Sequence, residues 1–304
     1  MKFFNIKLYK LIKKPLKYYH IGIITTLVSI LFAIVVPFAY VDLIGSLLII
    51  TLGILHGAND LEIISKNRQL KSRKFFIKSL IMYVGVVLLG GLFFFFLPSI
   101  ALFTFILFSS YHFGEQHWED RLKLSISHSL FFTLYGAFIF FLIFTIQYLE
   151  VVLVIEKISG ILLSYEFFLW SLISTGVLLL FIMMIISYLR VSLIKELFLL
   201  GLLSLLFHFG SLLFSFAFYF VVWHSIPSLK EQINYLYGDL KKASIKKYLK
   251  ASLLYWIASL VFLGLIFNYI DFNADYFLPM FFSFLAAITF PHTIVIGMMN
   301  RNKS

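Results

Sequence analysis

Long apolar segments run through almost the whole chain and constrain its fold more than any other feature. Ten such segments lie at 21–41, 43–63, 76–97, 99–113, 125–147, 167–189, 193–208, 211–227, 251–269 and 277–298. A helix of roughly 17 to 25 mostly apolar residues can cross the hydrocarbon core of a bilayer. Charged residues make up only 13% of the chain, compared with about a quarter in soluble domains. The sequence therefore predicts an all-α, polytopic membrane helix bundle with about eight to ten transmembrane helices.

The distribution of positive charge predicts the orientation of this bundle. Lys and Arg are enriched in the cytoplasmic loops of membrane proteins. With the N-terminus in the cytoplasm, a ten-span topology places 24 of the 25 Lys and Arg residues on the cytoplasmic side and only Lys157 on the other. We therefore expect both termini to be cytoplasmic, in the inner membrane of a bacterial cell. The formal charge of +11 then requires no nucleic-acid partner, because topology and attraction to membrane lipid account for it.

A single transmembrane domain is predicted at 21–298. Residues 1–20 are predicted to form a basic, amphipathic cytoplasmic tail, and residues 299–304 a second cytoplasmic tail. The longest polar stretch, at about 228–250, is predicted to be a cytoplasmic loop that can itself be helical and lie on the membrane.

Histidine is the polar residue that recurs inside the predicted spans. His56, His112, His224 and His292 lie toward the cytoplasmic ends of the second, fourth, eighth and tenth spans, so that four imidazoles lie at a similar depth. The chain has no Cys, which excludes thiolate ligands. Imidazoles that converge from several helices suit Fe, Zn, Cu or Ni. One histidine at a helix end is more often an interfacial residue, but four at one depth favour a metal centre.

Carboxylates follow two of these histidines at helical spacing. Asp60 lies one turn after His56, and Glu115 lies three residues after His112. Each is placed to accept a hydrogen bond from the free N–H of a metal-ligating imidazole. Both are therefore predicted to support the metal centre.

Four short motifs identify a resemblance that covers nearly the whole chain. They are His-Gly-Ala-x-Asp at 56–60, Tyr-His-Phe-Gly at 111–114, Trp-His-Ser at 223–225 and Pro-His at 291–292. In this order they resemble the Brp/Blh family of bacterial β-carotene 15,15′-dioxygenases. The resemblance implies an integral membrane enzyme that uses Fe²⁺ and O₂ to split β-carotene centrally into two molecules of all-trans-retinal, often for a rhodopsin. It also implies that the first three histidines are iron ligands.

One position departs from the family pattern. The third motif of the family continues as Trp-His-Ser-x-x-His, and this chain has Ser228 at the last position. We expect His292 to replace the missing ligand because it lies at the right depth, with Glu231 and His117 as alternatives. The same departure motivates a second hypothesis, a non-catalytic carotenoid-binding, retinal-binding or opsin assembly protein. A third hypothesis, a transporter, rests only on the number of spans and broken helices, and the scarcity of buried charges argues against it.

Aromatic residues next to the histidines are predicted to line a substrate cavity. The candidates are Tyr111, Phe113, Trp118, Trp223 and Phe290. Apolar rings suit a carotenoid, which dissolves in the bilayer and has to enter sideways between helices. Ordinary core packing is the alternative interpretation for each of them.

Overall fold

A computed structural model describes residues 16–67, 72–118, 122, 126–186, 189, 192–269 and 276–303. All regular secondary structure in these residues is helical, which confirms the all-α prediction. The α-helices are α1 (Leu16–Val35), α2 (Phe38–Leu48), α3 (Asp60–Asn67), α4 (Arg73–Phe96), α5 (Pro98–Trp118), α6 (Ile126–Ile146), α7 (Tyr148–Ser159), α8 (Tyr165–Ile185), α9 (Leu193–Phe209), α10 (Leu212–Phe218), α11 (Ile226–Tyr237), α12 (Lys242–Tyr269) and α13 (Phe277–Lys303). Most of the predicted N-terminal tail, residues 1–15, lies outside the described residues.

The helices of a multi-pass membrane protein are present in the described part of the chain. Six segments are long and apolar enough to cross a membrane: Arg73–Phe96, His128–Ile146, Tyr165–Ile185, Leu212–Tyr237, Lys242–Asn268 and Phe277–Asn302. Two shorter apolar helices lie at Tyr19–Val35 and Phe38–Gly53. All ten predicted segments overlap described helices. Six of them coincide with the six candidate spans, and the other four coincide with helices that are shorter or more polar. Helix α5, for example, ends in a polar stretch at 111–118.

Two stretches of π-helix interrupt the apolar helices close to two of the histidines. The first, π1 (Ile49–Gly53), follows α2, and the second, π2 (Tyr219–Ser225), joins α10 to α11 and contains His224. Single π-helical turns inside α-helices occur frequently at functional sites. Shortly after π1 the regular helix is interrupted: residues 56–59 form turns, and α3 begins at Asp60. His56 therefore lies in a break between two helices.

Helices α5 and α6 cross with their backbones in direct contact. A Cβ atom on Gly114 would lie 1.9 Å from the carbonyl oxygen of Phe132, and one on Gly136 would lie 1.9 Å from that of Ser110. Only glycine fits at both positions, as in other close helix pairs of membrane proteins. This crossing fixes the half of α5 that carries His112.

The polar stretch at 228–250 and the last described residues of the chain are largely helical. Within 228–250, α11 ends at Tyr237 and is followed by Gly238, which has a φ of 82°; α12 begins four residues after Gly238. Gln232 is fully buried, so that this polar helix packs one face against the bundle. Residues 299–303 form the last part of α13, and Met299 is buried in an apolar cluster.

The close crossing of α5 and α6 predicts a strong effect of Gly136→Ala. The added methyl group has to enter the space of the Ser110 carbonyl, and overpacking of this kind costs about 1–3 kcal/mol or more. We expect a lower unfolding temperature in detergent micelles. Gly201→Ala in α9 is the matched control, since no described atom lies within 4 Å of its new Cβ. Equal unfolding temperatures for the two variants would contradict the crossing.

Candidate metal centre

Four buried imidazoles from distant parts of the chain meet inside the bundle. His56, His112, His224 and His292 are each at most 4% exposed. Their ring centroids form a closed circuit: His56–His292 at 4.6 Å, His292–His112 at 5.3 Å, His112–His224 at 4.6 Å and His224–His56 at 5.2 Å. Adjacent rings meet edge to face at 76° to 89°. We call these four residues the histidine cluster.

Most ring nitrogens of the histidine cluster have no hydrogen-bond partner among the residues that the structure describes. These are Nε2 of His56 and His292 and both nitrogens of His112 and His224. Buried polar atoms without partners are rare because each carries an unrecovered desolvation cost. One nitrogen each of His56, His112 and His224 lies within 4.8 Å of the other two, and neutral imidazoles are ligands for Fe, Zn, Cu and Ni. The donor set therefore fits a transition metal ion.

A carboxylate orients the fourth imidazole. Nδ1 of His292 lies 2.9 Å from Oδ1 of Asp60 and donates to it, while the hydroxyl of Tyr83 donates to Oδ2 at 2.8 Å. The proton on Nδ1 leaves the lone pair on Nε2, which is the state that a metal ligand requires. Asp60 follows His56 closely in sequence but bonds an imidazole 232 residues away. Nδ1 of His56 pairs instead with the carbonyl oxygen of Gly53.

Glu115 lies beside His112 without forming a hydrogen bond to it. Oε2 of Glu115 is 3.9 Å from Nδ1 of His112, and its Oε1 accepts a hydrogen bond from the hydroxyl of Tyr111 at 2.9 Å. Both His112 and Glu115 are almost completely buried. Glu115 thus places a carboxyl group next to the histidine cluster, and the hydroxyl of Tyr111 holds that group in place.

Ser228 belongs to a buried network that holds the backbone of His56. The side-chain amide of Gln232 donates to Oγ of Ser228 at 3.0 Å and to the carbonyl oxygen of His56 at 2.8 Å. The hydroxyl of Tyr248 donates to Oε1 of Gln232 at 2.7 Å, and Asn59 donates to the carbonyl of Tyr248 at 3.0 Å. Position 228, where the family pattern has a histidine, therefore supports the turn that carries His56.

The two other alternative ligands lie in different surroundings. Nε2 of His117 is 3.0 Å from Oε2 of Glu196, and the hydroxyl of Tyr135 lies 3.2 Å from both atoms. The ring of His117 also stacks on Tyr135. Glu231 is half-buried on α11, two helical turns after His224. The structure places His117 in a second polar group, apart from the histidine cluster.

One predicted aromatic residue borders the histidine cluster. The ring of Phe113 lies 4.6 Å from that of His224, and Phe113 lines a cavity of about 20 Å³ between the four imidazoles. Phe220, which we did not predict, packs in parallel with His224 at 5.6 Å and meets His56 edge-on at 5.3 Å. Aromatic rings thus cover the histidine cluster on the side of α5 and π2.

The other four predicted lining residues pack elsewhere. Tyr111 lies against Phe132, Trp118 against Phe131 and Tyr135, Trp223 against Tyr19, and Phe290 against Phe93 and Phe108. Trp223 points toward α1, where its Nε1–H donates to Thr26 at 3.2 Å. Core packing, the alternative interpretation, describes Trp118, Trp223 and Phe290, whereas Tyr111 also bonds Glu115 beside His112.

Sequence reasoning missed several residues that line the central cavity. Ser109, Thr289 and Phe220 are among them. Each lies three or four residues before a histidine of the cluster, and residues at that spacing share one helix face. Helical spacing from each histidine is therefore the signal that identifies them.

One comparison with known proteins identifies the family of the chain. A family model described as beta-carotene 15,15′-dioxygenase matches residues 47–300, which include all four histidines. No curated protein and no solved structure matches the chain. The family match confirms the resemblance carried by the four histidine motifs. The chain belongs to the β-carotene 15,15′-dioxygenase family.

Proposed function

We propose that this protein is a dioxygenase that uses Fe²⁺ and O₂ to cleave β-carotene at its 15,15′ double bond into two molecules of all-trans-retinal. The observation that carries this proposal is the closed circuit of four buried imidazoles, with unpaired nitrogens, in a member of this family. Histidine nitrogens next to carboxylates are suitable donors for Fe(II). The substrate would come from the bilayer, and the retinal product suggests a functional link to a rhodopsin.

His56, His112 and His224 would hold the iron, with His292 as the fourth ligand in place of Ser228. Bound iron supplies the redox chemistry that activates O₂. The residues of the chain supply orientation and an apolar environment. Asp60 keeps the proton of His292 on Nδ1, and the rings of Phe113 and Phe220 exclude water from the reacting atoms.

The proposed reaction balances without a further reductant. The 15,15′ carbon–carbon double bond and the oxygen–oxygen bond break, two carbon–oxygen double bonds form, and each retinal carries one oxygen atom. The hydrocarbon substrate offers no polar group for binding, so its position depends on apolar contacts. The apolar residues around the histidine cluster suit that requirement.

The cellular setting is part of the same proposal. The charge distribution along the chain supports a bacterial inner membrane with both termini in the cytoplasm. A membrane-embedded site gives the enzyme access to a substrate that is insoluble in water.

A non-catalytic carotenoid-binding, retinal-binding or opsin assembly protein is the alternative function. It was motivated by the absence of a histidine at position 228. His292 lies beside His56 and His112 and bonds Asp60. It therefore supplies a fourth imidazole although position 228 has no histidine, and this favours the enzyme.

Expression in bacterial cells that accumulate β-carotene tests the proposed reaction. We expect the orange colour to fade and two molecules of retinal to appear for each β-carotene lost, measured by chromatography of cell extracts. His112→Ala should abolish retinal formation because it removes one of the proposed iron ligands. Persistent colour without retinal, in cells that contain folded protein, would contradict the enzyme and favour the alternative.

The identity of the fourth ligand is tested by a pair of variants. His292→Ala is expected to lose bound iron and cleavage, because it removes an imidazole of the histidine cluster. Ser228→Ala is expected to keep iron at the wild-type ratio, with a loss of folding stability of about 1 kcal/mol for one hydrogen bond. Metal analysis of the purified proteins gives the answer. Iron retained by His292→Ala and lost by Ser228→Ala would reverse our assignment.

The contact of Asp60 with His292 predicts a weaker iron site in Asp60→Asn. Loss of the carboxylate partner of a ligand histidine typically lowers metal affinity by about 10–100-fold. Competition with a chelator measures this affinity directly. Glu62→Gln, a similar change two residues further along α3, is the control and should retain wild-type affinity. Equal affinities for the two variants would show that Asp60 does not orient a ligand.

A further inference from the structure

An apolar cavity of about 300 Å³ adjoins the histidine cluster on the side of α4, α12 and α13. His56 and His292 form part of its wall, so the cavity leads directly to the proposed iron ligands. Asp60 and Tyr83 also line it, but their polar groups bond each other. Most of the remaining wall is apolar, so the cavity suits a hydrocarbon.

The cavity extends along two of the helices that line it. Its lining residues extend from Leu80 to Leu88 on α4 and from Phe284 to His292 on α13. Eight residues of α-helix correspond to about 12 Å. The part of the cavity near Tyr83 lies beside the histidine cluster, since Tyr83 bonds the same carboxylate as His292. An apolar space that extends about 12 Å along these helices and reaches the proposed iron ligands suits a linear chain.

One side of the cavity is open to the surroundings of the bundle. Val84 is 45% exposed, Leu88 54% and Phe262 44%, although all three line the cavity. They lie on α4 and α12, two of the candidate membrane spans, which scarcely touch each other. In a membrane this opening faces the lipid chains. We call the opening and the cavity behind it the lateral slot.

A second apolar cavity lies beyond the histidine cluster. Its volume is about 50 Å³, and residues of α5, α6, α7, α10 and α13 line it. Phe105 and Phe216 line both this cavity and the small one between the imidazoles. Apolar space therefore lies on both sides of the histidine cluster. The rings of Phe105 and Phe216 lie between the small central cavity and the second cavity.

We propose that the lateral slot is the entrance for the carotenoid and the binding site for one half of its polyene. The substrate would pass sideways from the bilayer between α4 and α12 until its central bond reaches the histidine cluster. Its leading half would then displace the rings of Phe105 and Phe216 and occupy the second cavity. This inference rests on the proposed function, and it explains how a long symmetric molecule presents its middle to a buried metal.

Two adjacent leucines of α4 provide a matched test. Leu88→Trp should fill the slot and lower kcat/KM for β-carotene in lipid vesicles by about tenfold or more, because the added volume competes with the substrate. Leu89, which is 64% exposed, does not line the slot among its described lining residues. Leu89→Trp should therefore retain wild-type kcat/KM. Iron content and unfolding temperature should be the same in both variants.

A second pair keeps the test decisive if Leu88→Trp loses its iron or its fold. On α12, Ala258 lines the slot, whereas Ile257 is a neighbouring exposed residue outside its described lining. Ala258→Trp should reduce cleavage and Ile257→Trp should not. Wild-type kcat/KM in folded, iron-loaded slot variants, or equal losses in the controls, would overturn the lateral slot. Absence of cleavage by the wild-type protein with bound iron would instead overturn the proposed function.

Discussion

The rest of the structure depends on the convergence of four imidazoles in an apolar interior. Their unpaired nitrogens are costly in a medium that offers no water, and His56, His112 and His224 lie close enough together to hold a metal ion. The surrounding contacts keep the imidazoles in place. Asp60 bonds His292, the network through Gln232 holds the turn of His56, and the glycine crossing of α5 and α6 fixes the helix of His112.

Irregular backbone appears where the histidine cluster needs it. His56 lies in a turn after π1, and His224 lies within π2. Non-helical backbone at membrane depth is tolerated only where protein or a cavity surrounds it, because lipid satisfies no hydrogen bonds. Here the hydroxyl of Ser225 donates to the carbonyl of Phe220, and Gln232 donates to the carbonyl of His56. The same polar contacts therefore satisfy the broken backbone and position the imidazoles.

Much of the site could be predicted from the sequence, but its connections could not. Long apolar segments identify the helices, and the equal depth of the four histidines identifies the histidine cluster. Sequence spacing could not show that Asp60 pairs with His292, because that contact joins residues 232 positions apart. It also could not separate His117 from the histidine cluster. His117 lies five residues after His112, about one and a half helical turns, and so points toward Glu196 on α9.

The sequence by itself determined the class of this protein: a helical membrane bundle of the β-carotene dioxygenase family, with histidine as the available metal donor. These properties follow from hydropathy, composition and short motifs, which are local. The tertiary structure decided which histidines meet, that Ser228 supports a turn, and where an apolar slot reaches the histidine cluster. Those features depend on how distant helices pack, since a side chain gains a neighbour or a cavity only when the bundle closes around it.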